Sequence, residues 1–473
     1  MALTFYNTLG RTKTPFCPIK PGTVGVYSCG PTVYQIAHLG NLRAYVFADL
    51  LNRTLRAEGY QVKHLINITD VGHLIGDIDE GEDKIEASAR KENKSPQDIA
   101  QFYTQAFFQD LELLGIDLGH YEFPRATEHI SDMIAQIKEL EAKGLAYQTN
   151  DGLYFDTAQF PTYSQLAGLD LAGQEAGARV EHNPAKRNPS DFALWKFAGP
   201  EDKRAQIWDS PWGSGFPGWH IECSAMATKY LGCHFDIHTG GIDHIPVHHS
   251  NEIAQAEGVC DERYVNFWLH CNFMTMEGEK MSKSLGNVFL LKDVITRDFS
   301  PLAYRYLLLG VHYRSELNFT WDALAGAEIA WHKLIQGARD LFNQADQTQD
   351  STKDKVNQTY YERFLNAVEN DLNSPQALAV IWDLIKDKEI PSTERLTTLL
   401  KADELLGLGI KDHLSLETIP EEISLLVAER EKARANSTWA EADKLRQELA
   451  DLGYEVLDTL AGPKVRIKAK FGA

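Results

Sequence analysis

The chain has 473 residues, of which 43% are hydrophobic and 24% charged, and its formal net charge is −20. This length exceeds what one hydrophobic core usually organises, so we expect two to four domains. The composition excludes a disordered or fibrous chain, whereas the negative charge disfavours nonspecific binding to polyanions and leaves room for a local basic surface. Without a signal-peptide run or a stretch of roughly 18 apolar residues, a cytoplasmic protein that does not contact a membrane is expected.

The cysteine content is low for a chain of this length. Sparse cysteines without the spacing of a secreted scaffold favour free thiols or metal ligands over disulfides in a reducing compartment. The six cysteines are Cys17, Cys29, Cys223, Cys233, Cys260 and Cys271.

The first predicted unit is a β-α-β crossover. From Thr23 the string TVGVYSC alternates like a strand, NLRAYVFADLLNRTLRAEGY has helical periodicity, and QVKHLINIT returns to strand. Such a unit implies a parallel sheet with ligands at the carboxyl ends of its strands. Both Cys29 and His38 fall at such an end.

After about Asp117 the pattern predicts an insertion, with a helix over HISDMIAQIKELEAKG and a hairpin that turns at Asn150, Asp151 and Gly152. Helix and strand patterns alternate again from near Pro211, so we expect the first sheet to continue there. The string GSGFPG in this region matches a dinucleotide motif, but it lacks the preceding strand and the acidic residue that such a site requires.

Beyond about Ser300 the chain reads almost wholly as helices with apolar stripes, including one over PLAYRYLLLGVHYR. The last predicted element is a strand in which cations alternate with apolar residues, so that one face is basic. Its cations are Lys464, Arg466, Lys468 and Lys470.

Two short strings have the chemistry of a phosphate site. In KMSKS, Lys280 to Ser284, two lysines on a loop can reach a polyphosphate and stabilise the negative charge of its transition state. In HLGN, His38 to Asn41, the glycine permits close backbone approach, and Asn41 opens a helix whose positive N-terminus suits phosphate. Each string alone is also compatible with a solvated loop.

A metal site is predicted from four residues that lie far apart in the sequence. Cys29 and Cys223 supply thiolates, and His248 and Glu252 share one face of a helix because they lie four residues apart. Two thiolates, an imidazole and a carboxylate form a plausible zinc set. Taken singly, each cysteine is more often inert core, and a His–Glu pair is more often a surface contact.

HLGN and KMSKS together resemble the two signatures of class I aminoacyl-tRNA synthetases, with Asn41 in place of the commoner second histidine. With WHIECS, DIHTGG and KMSKSLGN, essentially the whole chain resembles the cysteinyl-tRNA synthetase family. The resemblance implies an α/β fold with a Rossmann-like class I core, an inserted connective domain, a helical bundle and a small C-terminal domain. The implied segments are 1–116 and 211–270 for the core, 117–210 for the insertion, 271–320 for the KMSKS-bearing connecting fold, 321–415 for the bundle and 416–473 for the anticodon-reading domain.

The resemblance also implies roles for single residues. The implied zinc ligands are Cys29, Cys223, His248 and Glu252. The implied amino-acid pocket comprises Thr69, Trp219, His220, His238 and Asp243. The implied ATP contacts are His38, Gly40, Asn41, Lys280, Ser282 and Lys283, of which His38, Asn41, Lys280 and Lys283 would be catalytic.

The function that this resemblance implies is ATP-dependent ligation of L-cysteine to tRNA(Cys) through cysteinyl-adenylate. One zinc ion per chain would select the substrate thiol, Mg²⁺ would assist the ATP step, and a monomer is expected. Two alternatives stay open: a ligase that joins cysteine to an amino sugar, as in mycothiol synthesis, and a catalytically silent paralogue that binds tRNA.

Three positions depart from the family pattern. An acidic insertion, residues 71–82, follows Asp70. Ser250 replaces an acid in the zinc helix, and Val465 stands near the tail where family members often carry a tryptophan. We assign no role to the insertion or to Ser250, and base stacking by the tail is left open.

Overall fold

The computed structural model describes residues 2–72, 84–168, 185–199, 204–282, 286–346, 355–414, 421–452, 454–459 and 462–467. The helices of these segments are α1 (Leu39–Ala57), α2 (Lys84–Glu92), α3 (Pro96–Leu113), α4 (Ile130–Ala142), α5 (Trp219–Leu231), α6 (Ser250–Cys260), α7 (Leu291–Thr296), α8 (Pro301–Leu309), α9 (Trp321–Asp346), α10 (Gln358–Glu369), α11 (Ser374–Lys386), α12 (Ser392–Leu406), α13 (Glu421–Ala435) and α14 (Trp439–Asp451).

The strands are short, and most lie in small sheets. They are β1 (Thr4–Asn7), β2 (Thr12–Pro15), β3 (Thr23–Ser28), β4 (Gln61–Ile66), β5 (Ala146–Gln148), β6 (Gly152–Phe155), β7 (Phe192–Phe197), β8 (Gly215–Pro217), β9 (Phe235–Gly241), β10 (Val265–Cys271), β11 (Met274–Met276), β12 (Glu279–Lys280), β13 (Leu317–Phe319), β14 (Tyr454–Thr459) and β15 (Gly462–Ile467).

The central sheet is parallel and has the strand order β10-β9-β3-β4. Strands β3 and β4 come from the predicted crossover, and β9 and β10 come from the segment after the insertion. The expected continuation of the sheet is therefore confirmed, as is the Rossmann-like class. Since the strands are parallel, their carboxyl ends meet at one edge, where the chain continues into Cys29, Gly241 and Cys271.

Helix α1 begins at Leu39, because His38 caps it: Asn41 N–H donates to His38 Nδ1 at 3.1 Å, and His38 N–H donates to Asn41 Oδ1 at 3.2 Å. We expected Asn41 to open the helix, but the helix begins two residues earlier, at Leu39. Asn41 is the third residue of the helix, and its side chain completes the cap.

An antiparallel sheet has the strand order β5-β6-β7-β8; its first three strands lie in the predicted insertion, and β8 lies just beyond the predicted end at residue 210. The predicted hairpin is β5–β6, with Gly152 as the first residue of β6. The GSGFPG string contributes the edge strand β8. A Cβ at Gly215 would lie 2.1 Å from the Lys196 carbonyl oxygen, and one at Gly218 would lie 2.1 Å from the Ala193 carbonyl oxygen. These glycines serve strand packing, which agrees with our rejection of a dinucleotide site.

The chain divides into two compact units. The first comprises residues 1–291, 308–319 and 362–378, and the second comprises 292–307, 320–361 and 379–473. The predicted domain boundaries stay predictions.

The second unit is mainly helical. In it α9 packs on α12 and α13 packs on α14, while β14 and β15 form the antiparallel hairpin that contains the predicted tail strand. A small core of Ile423, Val427, Leu449 and Val456 holds this last part together. Among the described helices, none combines the length and apolarity that a bilayer crossing requires.

Two predictions of local structure are wrong. The helix predicted through Arg314 ends at Leu309, because the chain turns to form β13, which pairs with β11 in parallel. Cys233 and Cys260 form a disulfide, where free thiols were favoured. Cys260 ends α6, and Cys233 lies two residues before β9. Helix α6 runs back along β9, and this brings Cys260 close to Cys233 although the two residues are 27 positions apart in the sequence.

Some predicted features lie outside the described residues. These are Lys283 in KMSKS, positions 73–82 of the acidic insertion, and the last two tail cations, Lys468 and Lys470.

Candidate active site

The four predicted metal ligands converge at the carboxyl edge of the central sheet. Cys29 directly follows β3, and Cys223 lies on α5. His248 lies in a wide π-turn, Ile245–His249, that runs into α6, where Glu252 occupies the first turn. Their candidate ligand atoms all lie within 4.8 Å of one another, and three of the four side chains are buried. The structure thus brings together the whole predicted set.

The contacts within this cluster are short and polar. His248 Nε2 lies 3.1 Å from Glu252 Oε1, and Cys29 Sγ lies 4.0 Å from the same oxygen. Behind the cluster, His220 Nδ1 lies 2.9 Å from His248 Nδ1. His248 therefore has one ring nitrogen toward the cluster and the other held by a neighbouring ring, the usual arrangement of a metal-binding histidine.

The electrostatics of the cluster favour the ionised forms of Cys223 and Glu252. A hydrogen bond from Cys29 lowers the pKa of Cys223, although burial opposes it, while burial raises the pKa of Cys29. Burial acts to lower the pKa of His248, but Cys223 and Glu252 raise it to about 10. Burial likewise acts against ionised Glu252, whose pKa is nevertheless lowered to about 2 by His238 and His248. Buried cysteine sulfurs, a carboxylate and an imidazole together fit a divalent cation that accepts sulfur, oxygen and nitrogen ligands.

A second, overlapping group could also hold a cation. Cys29, His238, His249 and Glu252 present ligand atoms within 4.8 Å of one another. His238 Nε2 lies 3.0 Å from Glu252 Oε2, and His249 Nε2 lies 3.2 Å from Cys29 Sγ. The two groups share Cys29 and Glu252, so geometry alone leaves two possible sets.

The predicted amino-acid pocket residues occupy different positions around this cluster. The Trp219 ring lies 4.4 Å from the His248 ring, centroid to centroid. Thr69 is buried beyond the end of β4, where its backbone pairs with the segment Pro31–Val33. Asp243 follows β9 and is exposed, and a Cβ at Gly241 would lie 2.2 Å from its Oδ1.

The HLGN string and the KMSKS string lie against each other. Leu39 N–H donates to the Phe289 carbonyl oxygen at 2.9 Å, and His38 pairs with Leu290 in an isolated bridge. A Cβ at Gly40 would lie 2.2 Å from Met281 Cε. Gly40 therefore allows the methionine of KMSKS to approach the N-terminus of α1, where the positive end of the helix dipole favours phosphate.

Asn287 orders the KMSKS segment. Ser282 N–H donates to Asn287 Oδ1 at 2.8 Å, and Asn287 Nδ2 donates to the Lys280 carbonyl oxygen at 3.2 Å. Lys280 is exposed at the end of β12. Sequence reasoning quoted this asparagine only as part of SLGN and gave it no function.

Comparison with known proteins bears on this site. Residues 15–329 match the family model described as the class I (C) tRNA synthetase catalytic domain, and residues 417–466 match the cysteinyl-tRNA ligase anticodon binding domain. The cysteine–tRNA ligase of Treponema denticola is 46% identical over 487 residues, covering 98% of this chain and 99% of that protein. Cysteine–tRNA ligase 1 of Burkholderia lata is 48% identical over 467 residues, covering 98% of this chain and 97% of that protein.

The chain belongs to the cysteine–tRNA ligase family.

Solved structures of other synthetases share the fold of this cysteine–tRNA ligase family member. Methionyl-tRNA synthetase of Mycobacterium tuberculosis, solved with methionyl-adenylate, aligns with a TM-score of 0.55 at 15% identity, covering 86% of this chain and 94% of that one. A leucyl-tRNA synthetase of Agrobacterium radiobacter, solved in a ternary complex, gives 0.57 at 13% identity, covering 85% of each chain. At such identities the likeness supports the class I architecture.

Several buried polar residues of this family member were missed from the sequence. His249 and His270 lie beside the cluster and are almost fully buried, and Arg43 on α1 donates to the Asn272 and Phe273 carbonyl oxygens. The only sequence signal was the doubled histidine, His248–His249, of which the spacing argument used one. His270 reads as an ordinary strand residue, because its partners come from distant segments.

Proposed function

We propose that the chain ligates L-cysteine to tRNA(Cys) in two steps, at the expense of ATP. The cysteine carboxylate attacks the α-phosphate of ATP, which releases pyrophosphate and gives cysteinyl-adenylate, and the acyl group then passes to the terminal ribose of the tRNA. The observation that carries this proposal is the buried group Cys29, Cys223, His248 and Glu252 in a chain of the cysteine–tRNA ligase family.

We assign one zinc ion to that group. Two thiols, one imidazole and one carboxylate are a typical zinc donor set, and their depth in the protein keeps competing water away. When bound, zinc would supply a soft Lewis acid that holds a substrate thiol as thiolate, a bond that a serine hydroxyl makes far less readily. A site built around one strong bond to the correct substrate rejects its analogue without a separate editing step.

The residues around the group would shape the amino-acid pocket. Trp219 supplies an apolar wall beside His248, and His220 holds that ring in place. His238 orients Glu252 from the sheet side. Thr69 lines the strand-end floor, and the exposed carboxylate of Asp243 attracts the substrate ammonium group.

The ATP phosphates would bind between the two strings described above. His38 caps α1, and Gly40 and Asn41 lie in its first turn, so the positive end of the helix dipole would face the anion. Lys280, Ser282 and Lys283 belong to the facing segment, and the two lysines would neutralise the charge that develops as pyrophosphate leaves. A magnesium ion would accompany the nucleotide, as in other phosphoryl and nucleotidyl transfers.

A tRNA acceptor is favoured over the two alternatives. The match of residues 417–466 to an anticodon binding domain supports tRNA rather than an amino sugar. KMSKS and the four-residue group, both intact, favour catalysis rather than a silent paralogue. The β14–β15 hairpin, which carries Lys464 and Arg466, is the expected anticodon-end contact, where each cation would add to the salt dependence of tRNA binding.

The experiment is cysteine-dependent charging of total tRNA by the purified protein, run beside ATP–pyrophosphate exchange. We expect both reactions with cysteine and neither with serine. Exchange without charging would support the amino-sugar ligase, and an amino sugar is then the acceptor to add. Absence of both reactions with a zinc-loaded protein would support the silent paralogue and refute the proposed function.

A further inference from the structure

A chain of three hydrogen bonds leads from the half-buried Thr8 hydroxyl to the Cys29 sulfur. Thr8 Oγ1 lies 2.7 Å from His270 Nδ1. The other nitrogen of that ring, Nε2, lies 2.8 Å from His249 Nδ1, and His249 Nε2 lies 3.2 Å from Cys29 Sγ. Each ring nitrogen in this series therefore has one partner.

The fold holds each member of the series in place. Thr8 N–H donates to the Trp268 carbonyl oxygen at 2.9 Å, which fixes Thr8 beside strand β10 two residues from His270. His249 lies flat against the sheet because Gly240 has no side chain: a Cβ there would lie 2.7 Å from His249 Cε1. The rings of His249 and Trp268 pack at 4.9 Å.

We propose that Thr8, His270 and His249 form a positioning relay that presents an N–H donor to the Cys29 sulfur and excludes His249 from the metal. This inference rests on the proposed function, because it assumes that Cys29 is a metal ligand. The relay decides which of the two overlapping sets holds the cation: it selects Cys223 and His248 over His238 and His249 as the partners of Cys29 and Glu252.

The direction of the relay follows from its ends. A thiolate at Cys29 can only accept, so His249 must carry its proton on Nε2. The three contacts give every nitrogen of the two rings one partner, which a neutral imidazole satisfies with one donor and one acceptor. His270 then donates from Nε2 to His249, and the Thr8 hydroxyl donates to His270 Nδ1.

The negative charge of the ligand set explains what the His249 N–H donor would do. With Cys29, Cys223 and Glu252 ionised, the set carries three negative charges against the two positive charges of one divalent cation. A third thiolate, from the substrate, would add another negative charge in a buried site. An N–H group on the Cys29 sulfur disperses part of that charge, and it also fixes the side chain, as outer partners of metal ligands do.

The rival arrangement makes the opposite prediction for the same atoms. If His249 bound the cation through Nε2, its proton would lie on Nδ1 and would be donated to His270. His270 would then carry its own proton on Nδ1 and donate to Thr8. The tautomer of His270, a residue that touches no proposed ligand, therefore distinguishes the two sets.

The first test is long-range ¹H–¹⁵N correlation spectroscopy of the zinc-loaded protein labelled in its histidines. A His270→Gln variant assigns the signal. We expect His270 as the Nε2–H tautomer, and the Nδ1–H tautomer would overturn the relay.

The second test replaces zinc with Co²⁺ and compares Thr8→Val with Thr8→Ser. Both variants keep the backbone N–H that bonds Trp268, and only serine keeps the hydroxyl. We expect Thr8→Val to shift the sulfur-to-cobalt charge-transfer band and to weaken Co²⁺ binding roughly tenfold, while Thr8→Ser behaves as the parent. Identical bands and affinities for the two variants would refute the relay alone. A parent protein without any thiolate–cobalt band would refute the metal site as well, and with it that part of the proposed function.

Discussion

The buried ligand group and the KMSKS segment are two parts of the same catalytic unit that are organised in opposite ways. The ligand group consists of ionisable side chains, three of the four buried, whose ligand atoms lie within 4.8 Å of one another. In the KMSKS segment the described residues, 280–282 and 286–290, are exposed or half-buried, and they are held mainly through backbone atoms, Gly40 and Asn287. Selection of the amino acid thus depends on preorganised charge, whereas binding of ATP depends on a loop that packs against a helix terminus.

This difference predicts that substitutions in the ligand group change the zinc content, whereas substitutions in the KMSKS segment change the rate of cysteine activation and leave the zinc content unchanged. Loss of a buried ligand leaves other charged groups unpaired in the interior, where charge is costly. Loss of a loop contact leaves the backbone exposed to water, which replaces the lost hydrogen bond at modest cost.

The largest effect is expected for Cys223→Ser. The substitution conserves size but removes a thiolate, so zinc should fall from one ion per chain to a small fraction, and cysteine activation should fall by roughly a hundredfold or more. Metal analysis and ATP–pyrophosphate exchange measure the two quantities. Cys271→Ser is the matched control, since Cys271 is buried but lies outside both candidate sets. A Cys223→Ser protein with full zinc would remove that residue from the ligand shell.

Asn287→Ala should reduce the rate of adenylate formation about tenfold and leave zinc content unchanged. It removes the acceptor for Ser282 N–H and the donor to the Lys280 carbonyl oxygen, together worth about 1–2 kcal/mol. Asn287→Asp keeps the acceptor and loses the donor, so its rate of adenylate formation should lie between that of the parent and that of Asn287→Ala. Pre-steady-state kinetics separates this rate from cysteine binding. A loss of zinc in Asn287→Ala would break the proposed separation of the two regions.

Gly40→Ala should slow activation a few-fold without destabilising the protein. Alanine is the better helix former by about 1 kcal/mol, but its Cβ would contact Met281 Cε and displace the KMSKS segment from α1. A second substitution, Met281→Ala, should restore part of the rate because it removes the contacted atom. If the double variant were as slow as Gly40→Ala, the clash with Met281 would not be the cause.

The smallest effect concerns His64, a buried residue of β4. Its Nε2 is 2.8 Å from Ser28 Oγ, Asn52 donates to its Nδ1 at 3.1 Å, and burial lowers its pKa to about 3. The unfolded chain therefore binds a proton on this residue below about pH 6.5 while the folded chain does not. Stability is lost as the pH falls, at about 1.4 kcal/mol per pH unit between those limits.

His64→Gln should remove that contribution to the slope. Urea unfolding of the metal-free protein at pH 6.5 and pH 5.5 measures it, and we expect the variant to lose about 1 kcal/mol less than the parent over this interval. Equal losses in the two proteins would mean that His64 takes up its proton in the folded state.

The sequence was most informative where a regular pattern of apolar residues marks a buried element. Alternating apolar residues predicted β3, β4, β9 and β10, and because parallel strands end at one edge, they also predicted that Cys29 lies at that edge. Cys223 lies on α5, which the strand pattern does not position. The four-residue spacing of His248 and Glu252 added the other two groups, although His248 lies in the π-turn before α6 and only Glu252 lies in the helix itself.

Features that depend on the meeting of distant segments could not be predicted in the same way. His270 acquires its partners from Thr8 and His249, and nothing near it in the sequence marks that contact. The Cys233–Cys260 pairing depends on how far α6 runs back along β9, which the spacing of the two residues does not specify. The conformation around Lys280 and Ser282 likewise depends on Asn287, whose side chain bonds both residues only in the folded loop.

Zinc K-edge X-ray absorption of the purified protein, with and without substrate, tests the central claim most directly. The account predicts two sulfur neighbours at the metal in the free protein, three after cysteine is added, and two after serine is added. An unchanged sulfur count with cysteine, or a free protein whose zinc has no sulfur neighbour, would contradict selection of the substrate by this ligand group.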